Sequence, residues 1–351
     1  MDRDVFKDRK ILALCVVAVV VLLLIYSIYY TSLFNGDSET GDESDWTDYP
    51  YVIPGTDMRF PDVEGKYTPG DTWLSLGFEL DFIDSDKENA HLALLYHPKY
   101  KDVFLSTSDD IFKTRFNGER TLPVGKIDMT FDAPGLPEDS LRVKDGQAFH
   151  YDLLAHFEID GTLYRLDVEL ESIKPPATMF DGQVVMGNEY YKLHALSNCV
   201  TTGTLSIGED VHGVTGQAWF ENQRGTFGSM KWNWFCFFGD DDTEMEIVDL
   251  YGPDEQNFNY AMYIQRNGEV LTIDDISIET TSFIEPPSSP NKFGYSWEIF
   301  SSKYYVSLNI TSVEEDMYYN GYAVGVGRVT GTLMGREIDT WTYVEQTKLH
   351  F

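Results

Sequence analysis

From Gly216 to Phe238 the chain reads GQAWFENQRGTFGSMKWNWFCFF, with three tryptophans and five phenylalanines around one carboxylate, Glu221. A carboxyl flanked by tryptophan has its pKa raised, because removal from water disfavours the anion. Such a neutral acid can protonate an alkene or a leaving oxygen. Read as two strands, the stretch puts Gln217, Trp219 and Glu221 on one face of the first. On the second strand Trp232, Trp234, Cys236 and Phe238 share a face, opposed by Lys231, Asn233, Phe235 and Phe237. The plainer alternative is packed core, with Glu221 in solvent or paired to Arg224.

Other chemistry-bearing residues are sparse. His194, in Tyr190-Tyr191-Lys192-Leu193-His194, lies just upstream of the aromatic block. His150 and His156 share a face of an extended segment but sit roughly 20 Å apart at strand rise, too far to chelate together. Asp240-Asp241-Asp242 lacks the spaced oxygen ligands of a calcium loop and reads as a hairpin tip. The nucleophile elbow, the P-loop, H-E-x-x-H and the dinucleotide glycine run are all absent. No metal and no cofactor is expected. Cys199 and Cys236 could pair, although each sits in an apolar, strand-like context that suits a buried thiol.

The elements that must position these residues follow from period and charge. Residues 11–34 begin with an uncharged run, Ile11 to Tyr30, long enough to cross a bilayer as a helix. Arg3, Lys7, Arg9 and Lys10 precede it and an acidic stretch follows. The expectation is a single-span signal anchor with residues 1–10 cytoplasmic and the rest extracytoplasmic. Residues 35–58 read as an acidic linker. Net charge of −32 over 351 residues repels nucleic acid and anionic headgroups. The expected membrane attachment is therefore the helix alone.

Beyond the linker the dominant period is two. Asp160-Gly161 marks a hairpin between His156–Ile159 and Thr162–Leu166, and Asn117-Gly118 and Asn267-Gly268 mark two more. Tyr304–Ile310 and Tyr322–Val326 alternate as well, and no amphipathic helix longer than about three turns is visible. The expected fold is all-β, with two antiparallel β-barrels in tandem over 59–249 and 250–351.

Tyr190-Tyr191, Gly203-Thr204-Leu205, Gly213 to Trp219, Gly225 and Trp232-Asn233-Trp234-Phe235 resemble the central motif series of the AttH-like and carotenoid 1,2-hydratase superfamily. Tyr319-Asn320-Gly321, Gly327, Gly331, Gly335 and Tyr343-Val344-Glu345 are similar to its closing pattern. The resemblance implies lipocalin-like barrels, the first closed by the aromatic strands, and members that hydrate, cyclise or isomerise hydrophobic substrates. Where the family has aspartate then histidine after W-x, this chain has Glu221 and Asn222. Its E-W-W-Y pattern is reduced to Asp71-Thr72-Trp73-Leu74.

The expected function is binding of a hydrophobic small molecule, isoprenoid or lipid, by Trp73, Trp219, Trp232 and Trp234. The catalytic alternative makes Glu221 the proton donor, with Trp219 and Trp234 facing developing positive charge and Tyr191 or His194 orienting water. A third reading is a surface structural module without a ligand.

Overall fold

The computed structural model describes residues 46–47, 49–66, 71–83, 89–107, 111–179, 182–226, 230–239, 241–252, 257–286, 292–313, 318–319 and 322–347. The expected cytoplasmic tail, the membrane helix and the linker up to residue 45 lie outside them. Among the described residues no helix is long and apolar enough to cross a membrane, and the regular structure is all β, arranged as a nearly closed barrel and a half-barrel.

Two short strands, β1 (Tyr51–Val52) and β2 (Arg59–Phe60), form a sheet of their own. The first large sheet begins with β3 (Asp71–Phe82), β4 (Ala90–Tyr96), β5 (Tyr100–Ser106), β6 (Ile111–Asn117), β7 (Glu119–Thr121) and β8 (Asp128–Asp132). It continues with β9 (Asp139–Val143), β10 (His150–Ile159), β11 (Thr162–Ser172), β12 (Val184–Met186), β13 (Glu189–Ile207) and β14 (Asp210–Gly225). The second takes β15 (Lys231–Phe238), β16 (Glu244–Tyr251), β17 (Asn257–Ile264), β18 (Val270–Ile273) and β19 (Ser277–Ile284). Its remaining strands are β20 (Phe293–Ser301), β21 (Val306–Ser312), β22 (Tyr318–Tyr319), β23 (Tyr322–Leu333) and β24 (Arg336–Thr347).

The first sheet runs β6-β5-β4-β3-β14-β13-β11-β10-β9-β8-β7, and its two end strands are joined through Gly118. Asn117-Gly118 is therefore a crossing of the barrel seam and not the expected hairpin, because β6 pairs with β5 while β7 pairs with β8. Gly118 is needed there for space: a Cβ would lie 2.4 Å from the Asp132 carbonyl oxygen. A buried polar link ties the two halves of this sheet together. Lys101 on β5 and Tyr96 on β4 both donate to Asp139 Oδ2 on β9. The Asp160-Gly161 hairpin is present, and both residues take the positive φ that a type I′ turn demands.

Alternation sorts the side chains of the first sheet into two cores. Leu74, Leu76, Phe78, Leu196, Ala218 and Phe220 fill the barrel. Ile53, Met58 and Phe60 fill it too, so the end of the expected linker is packed core and not solvated tether. The opposite faces of β4, β13 and β14 meet β15, β16, β17, β23 and β24 of the second sheet, making a second core between the sheets.

Two features fasten that junction. A register shift in β13 between Leu196 and Cys199 presents Ser197 and Asn198, which donate to Glu244 of β16 at 3.1 and 2.9 Å. Lys174 completes the shell with bonds of 2.9 and 2.8 Å to the same carboxylate. Elsewhere Tyr343 of β24 lies over Gly77 of β3, where a Cβ would come within 2.9 Å of its ring, and its hydroxyl donates to the Phe78 carbonyl.

Candidate functional site

The opening stretch does not form a strand pair. β14 pairs with β13 and β3, whereas β15 pairs with β16 and β24. The first large sheet ends with β14 at Gly225, and β15, from Lys231, belongs to the second. The two aromatic strands meet across the junction instead, with the Trp219 and Trp234 ring centroids 6.5 Å apart at 71°.

Three carboxylates converge there, one from each of three strands. Glu221 comes from β14, Glu246 from β16 and Glu345 from β24, and all three are buried. Each accepts an indole N–H: Trp219 Nε1 reaches Glu221 Oε1 at 2.6 Å, Trp234 Nε1 reaches Glu246 Oε1 at 2.9 Å, and Trp232 Nε1 reaches Glu345 Oε1 at 2.8 Å. Gln223 Nε2 donates to the second Glu221 oxygen at 2.6 Å. Glu246 Oε2 is buried with no hydrogen-bond partner.

Burial is the first cause of the electrostatics, and mutual repulsion adds to it. Glu221 is pushed up to about 8 by loss of water and by the charge of Glu345, against the pull of Gln223 and Trp219. Glu345 rises to about 7 through burial, opposed by hydrogen bonding to Tyr322 and Trp232. Glu246 lies well above the usual carboxylate range for the same reason, with the Glu221 and Glu345 charges adding to burial. No cation figures among the groups that shift any of the three. Below about pH 7 such carboxyls keep their protons, because an ion in a dry site without a counter-charge is costly.

A cavity of about 20 Å³ borders the cluster, enclosed by Tyr191, Trp232, Trp234, Met230, Val248 and Glu345 among others. That is room for roughly one water molecule. Tyr191 and Trp232 are the partly buried aromatic members of its lining. Burial raises the pKa of the Tyr191 hydroxyl, and the charges of Glu221, Glu246 and Glu345 add to the rise.

Most of the candidates from the sequence therefore assemble in one place. Trp219, Glu221, Trp232, Trp234 and Tyr191 share the junction. Trp73 stands beside it, its ring 5.9 Å from Trp232 and 4.6 Å from His97, and does not line the cavity. His194 is elsewhere. It projects from the opposite face of β13 into the first barrel, 4.8 Å from the Phe60 ring. There burial and the Arg224 charge keep it well below the usual histidine range. Cys199 and Cys236 are free thiols buried in different cores. Among the described residues no group of three or more His, Cys, Asp or Glu could hold a metal ion.

Sequence reasoning passed over Glu246 and Glu345. A signal for the first existed: Glu244, Glu246, Val248 and Leu250 alternate on one face of β16, so two carboxylates sit on an apolar stripe. Glu345 stood in Tyr343-Val344-Glu345, where only the spacing of the closing motif had been weighed.

The AttH-like family model matches residues 139–345. The chain belongs to that AttH-like family. A protein of Nitrosomonas europaea described as an AttH has a similar structure, with a TM-score of 0.66 at 16% identity over 84% of this chain and 98% of that one. Kievitone hydratase of Nectria haematococca follows with a TM-score of 0.64 at 12% identity, covering 86% of this chain and 93% of its own. CghA with bound Sch210972 gives a TM-score of 0.52 at 10% identity, over 86% and 97% of the two chains. No curated protein sequence matches the chain. At these identities the likenesses establish the lipocalin-like fold.

Proposed function

We propose that this is a membrane-anchored, extracytoplasmic protein that takes a hydrophobic small molecule, isoprenoid or lipid, at the junction of its two sheets and protonates it there. One observation carries the reading: three buried carboxyls converge with neutral hydrogen-bond donors and without a counter-cation. That arrangement holds protons at neutral pH in a dry, aromatic setting, which acid-catalysed hydration, isomerisation or cyclisation needs. A hydratase among the structural neighbours supports the reaction class.

The hydrogen bonds divide the roles. Glu221 accepts on both oxygens, which offsets part of the rise that burial imposes on it. Glu246 accepts on Oε1 alone, so the bare Oε2 is the oxygen that carries the proton and delivers it. The faces of Trp219 and Trp234 meet the positive charge that develops on the ligand, and Tyr191 orients water.

The small volume of the cavity favours one rival, a structural module in which this block is solid core. Titrating the full chain with isoprenoid and fatty-acyl ligands while reading tryptophan fluorescence separates the two. Saturable quenching is expected, with deuterium from heavy water entering an alkene ligand and Glu246→Gln abolishing that exchange. No saturable response across the panel would leave the structural module standing.

A further inference from the structure

The strand β18 lies at one end of the second sheet. Its partner is β17, and among the described residues no strand pairs with its other edge. The hairpin before it fixes which backbone groups that edge presents. Gln265 N–H donates to the Glu269 carbonyl at 2.9 Å, and in an antiparallel pair such bonding positions recur at every second residue. Leu271 and Ile273 therefore turn their N–H and C=O groups toward β17, while Val270 and Thr272 turn theirs outward. Within β18 there is no charge and no proline, two of the devices that keep a free edge from pairing.

A cavity of about 720 Å³ runs along this edge, bordered by Val270, Leu271 and Thr272 in succession. Successive side chains point to opposite faces of a sheet, so a space that touches all three lies beside the backbone. The facing wall cannot complete the ladder. Pro175 and Pro176 have no N–H to give, and Ala177 exchanges both backbone groups with Ala195 at 2.8 and 2.9 Å. On a third side Ile53 and Thr56 are bonded within their own turn. The hairpin tip closes one end, with Gly268 packed so near that a Cβ would lie 2.5 Å from the Pro175 ring. Four residues of one strand occupy roughly 600 Å³, at about 3.3 Å per residue, about 4.8 Å between strands and about 10 Å between sheets. The space matches one added strand.

Charge narrows the choice of strand. The residues that border the cavity include Glu269 and no Lys, Arg or His, and the chain as a whole carries −32. Acidic segments are repelled and basic flanks attracted. We propose that the β18 edge docks an extended segment of a partner protein, uncharged opposite Val270 to Thr272 and basic at its flanks. The segment joins the second sheet as a new edge strand, exchanging hydrogen bonds with the Val270 and Thr272 backbones. Its side chains alternate toward Tyr260 and Thr272 on one face and Leu271 on the other. This site is distinct from the carboxyl cluster, since the two cavities share no bordering residue.

The test titrates the full chain into a fluorescein-labelled, end-blocked peptide of sequence KVTVTK and reads anisotropy. Saturable binding is expected. N-methylation of the central amides should weaken it at least about tenfold, because the lost bonds are backbone bonds. Replacing both lysines by glutamate should weaken it as well. Val270→Pro removes an outward N–H that the sheet itself does not use, a place where an edge strand tolerates proline, and should cost the same as methylation. Should that variant fail to fold, the peptide series on the unaltered chain still decides the point. Equal binding of methylated and unmethylated peptides, or no saturable binding, overturns the proposal. A dimer in analytical ultracentrifugation that Val270→Pro dissociates makes a second copy of this chain the occupant, and overturns it too.

Discussion

Glu345→Gln offers the sharpest test of the buried acids, because its effect should depend on pH in a direction opposite to that of most carboxylates. In the folded chain Glu345 is raised to about 7 by burial, against an ordinary 4.5. Below pH 4.5 both folded and unfolded chains hold the proton and the group costs nothing. Between that value and pH 7 the unfolded chain releases the proton while the folded chain keeps it. Stability therefore falls by about 1.4 kcal/mol per pH unit, or about 3 kcal/mol across the window. A glutamine does not titrate. The variant keeps an oxygen for Trp232 Nε1 and changes its bonding to Tyr322, at a cost of about 1 kcal/mol. At pH 5 it should be slightly less stable than the parent, and at pH 8 more stable by about 2 kcal/mol. For a chain of this size that is a reversal of several degrees in melting temperature, roughly 2–4 °C per kcal/mol. The net charge of −32 also weakens the fold as pH rises. Measurements in 1 M salt, where the screening length is about 3 Å, suppress that surface contribution and leave a buried group untouched. Urea unfolding at pH 5, 6, 7 and 8 reads the difference. Parallel curves for parent and variant would refute the reasoning, since they would mean that Glu345 ionises as readily folded as unfolded.

Three further outcomes are expected. Lys174→Met should cost about 3–5 kcal/mol in urea unfolding by leaving the buried Glu244 without its cation, and adding Glu244→Leu should recover most of the loss. Gly77→Ala should cost about 1–3 kcal/mol through overlap with the Tyr343 ring, and much less in a Tyr343→Ala background. A full cost in that background would show that the ring is not the obstacle. Phe60→Ala should cost about 3–5 kcal/mol and speed amide hydrogen exchange from Tyr51 to Glu64, because Phe60 anchors that segment against Phe149 and His194. Unchanged exchange there would contradict the packed segment.

Local features were readable in the chain itself. Period two marked the strands, and Asp160-Gly161 announced its turn because two successive positive φ angles suit few other pairs. Asn117-Gly118 misled for an instructive reason. Here the glycine serves a tight approach of the barrel seam, and turn chemistry cannot distinguish that from a hairpin. Tyr51 to Met58 looked like the tail of an acidic tether, yet its apolar residues fill the first barrel, a destination that only the rest of the fold supplies.

The site divides the same way. The sequence by itself determined that Trp219 and Glu221 share a face of a strand, and likewise Trp232 and Trp234, because side chains alternate at every residue. It also determined the acidity of the surface and the all-β character. Only the tertiary structure decided that the two faces meet across a junction between sheets and that Glu246 and Glu345 join Glu221 there. It also decided that His194 faces the other way. Glu221 and Glu345 are 124 positions apart on strands of different sheets. Whether such residues meet depends on how two sheets pack, and no local period encodes that. The pKa of the acid at the centre of the aromatic stretch depends in turn on those distant partners, through burial and repulsion together.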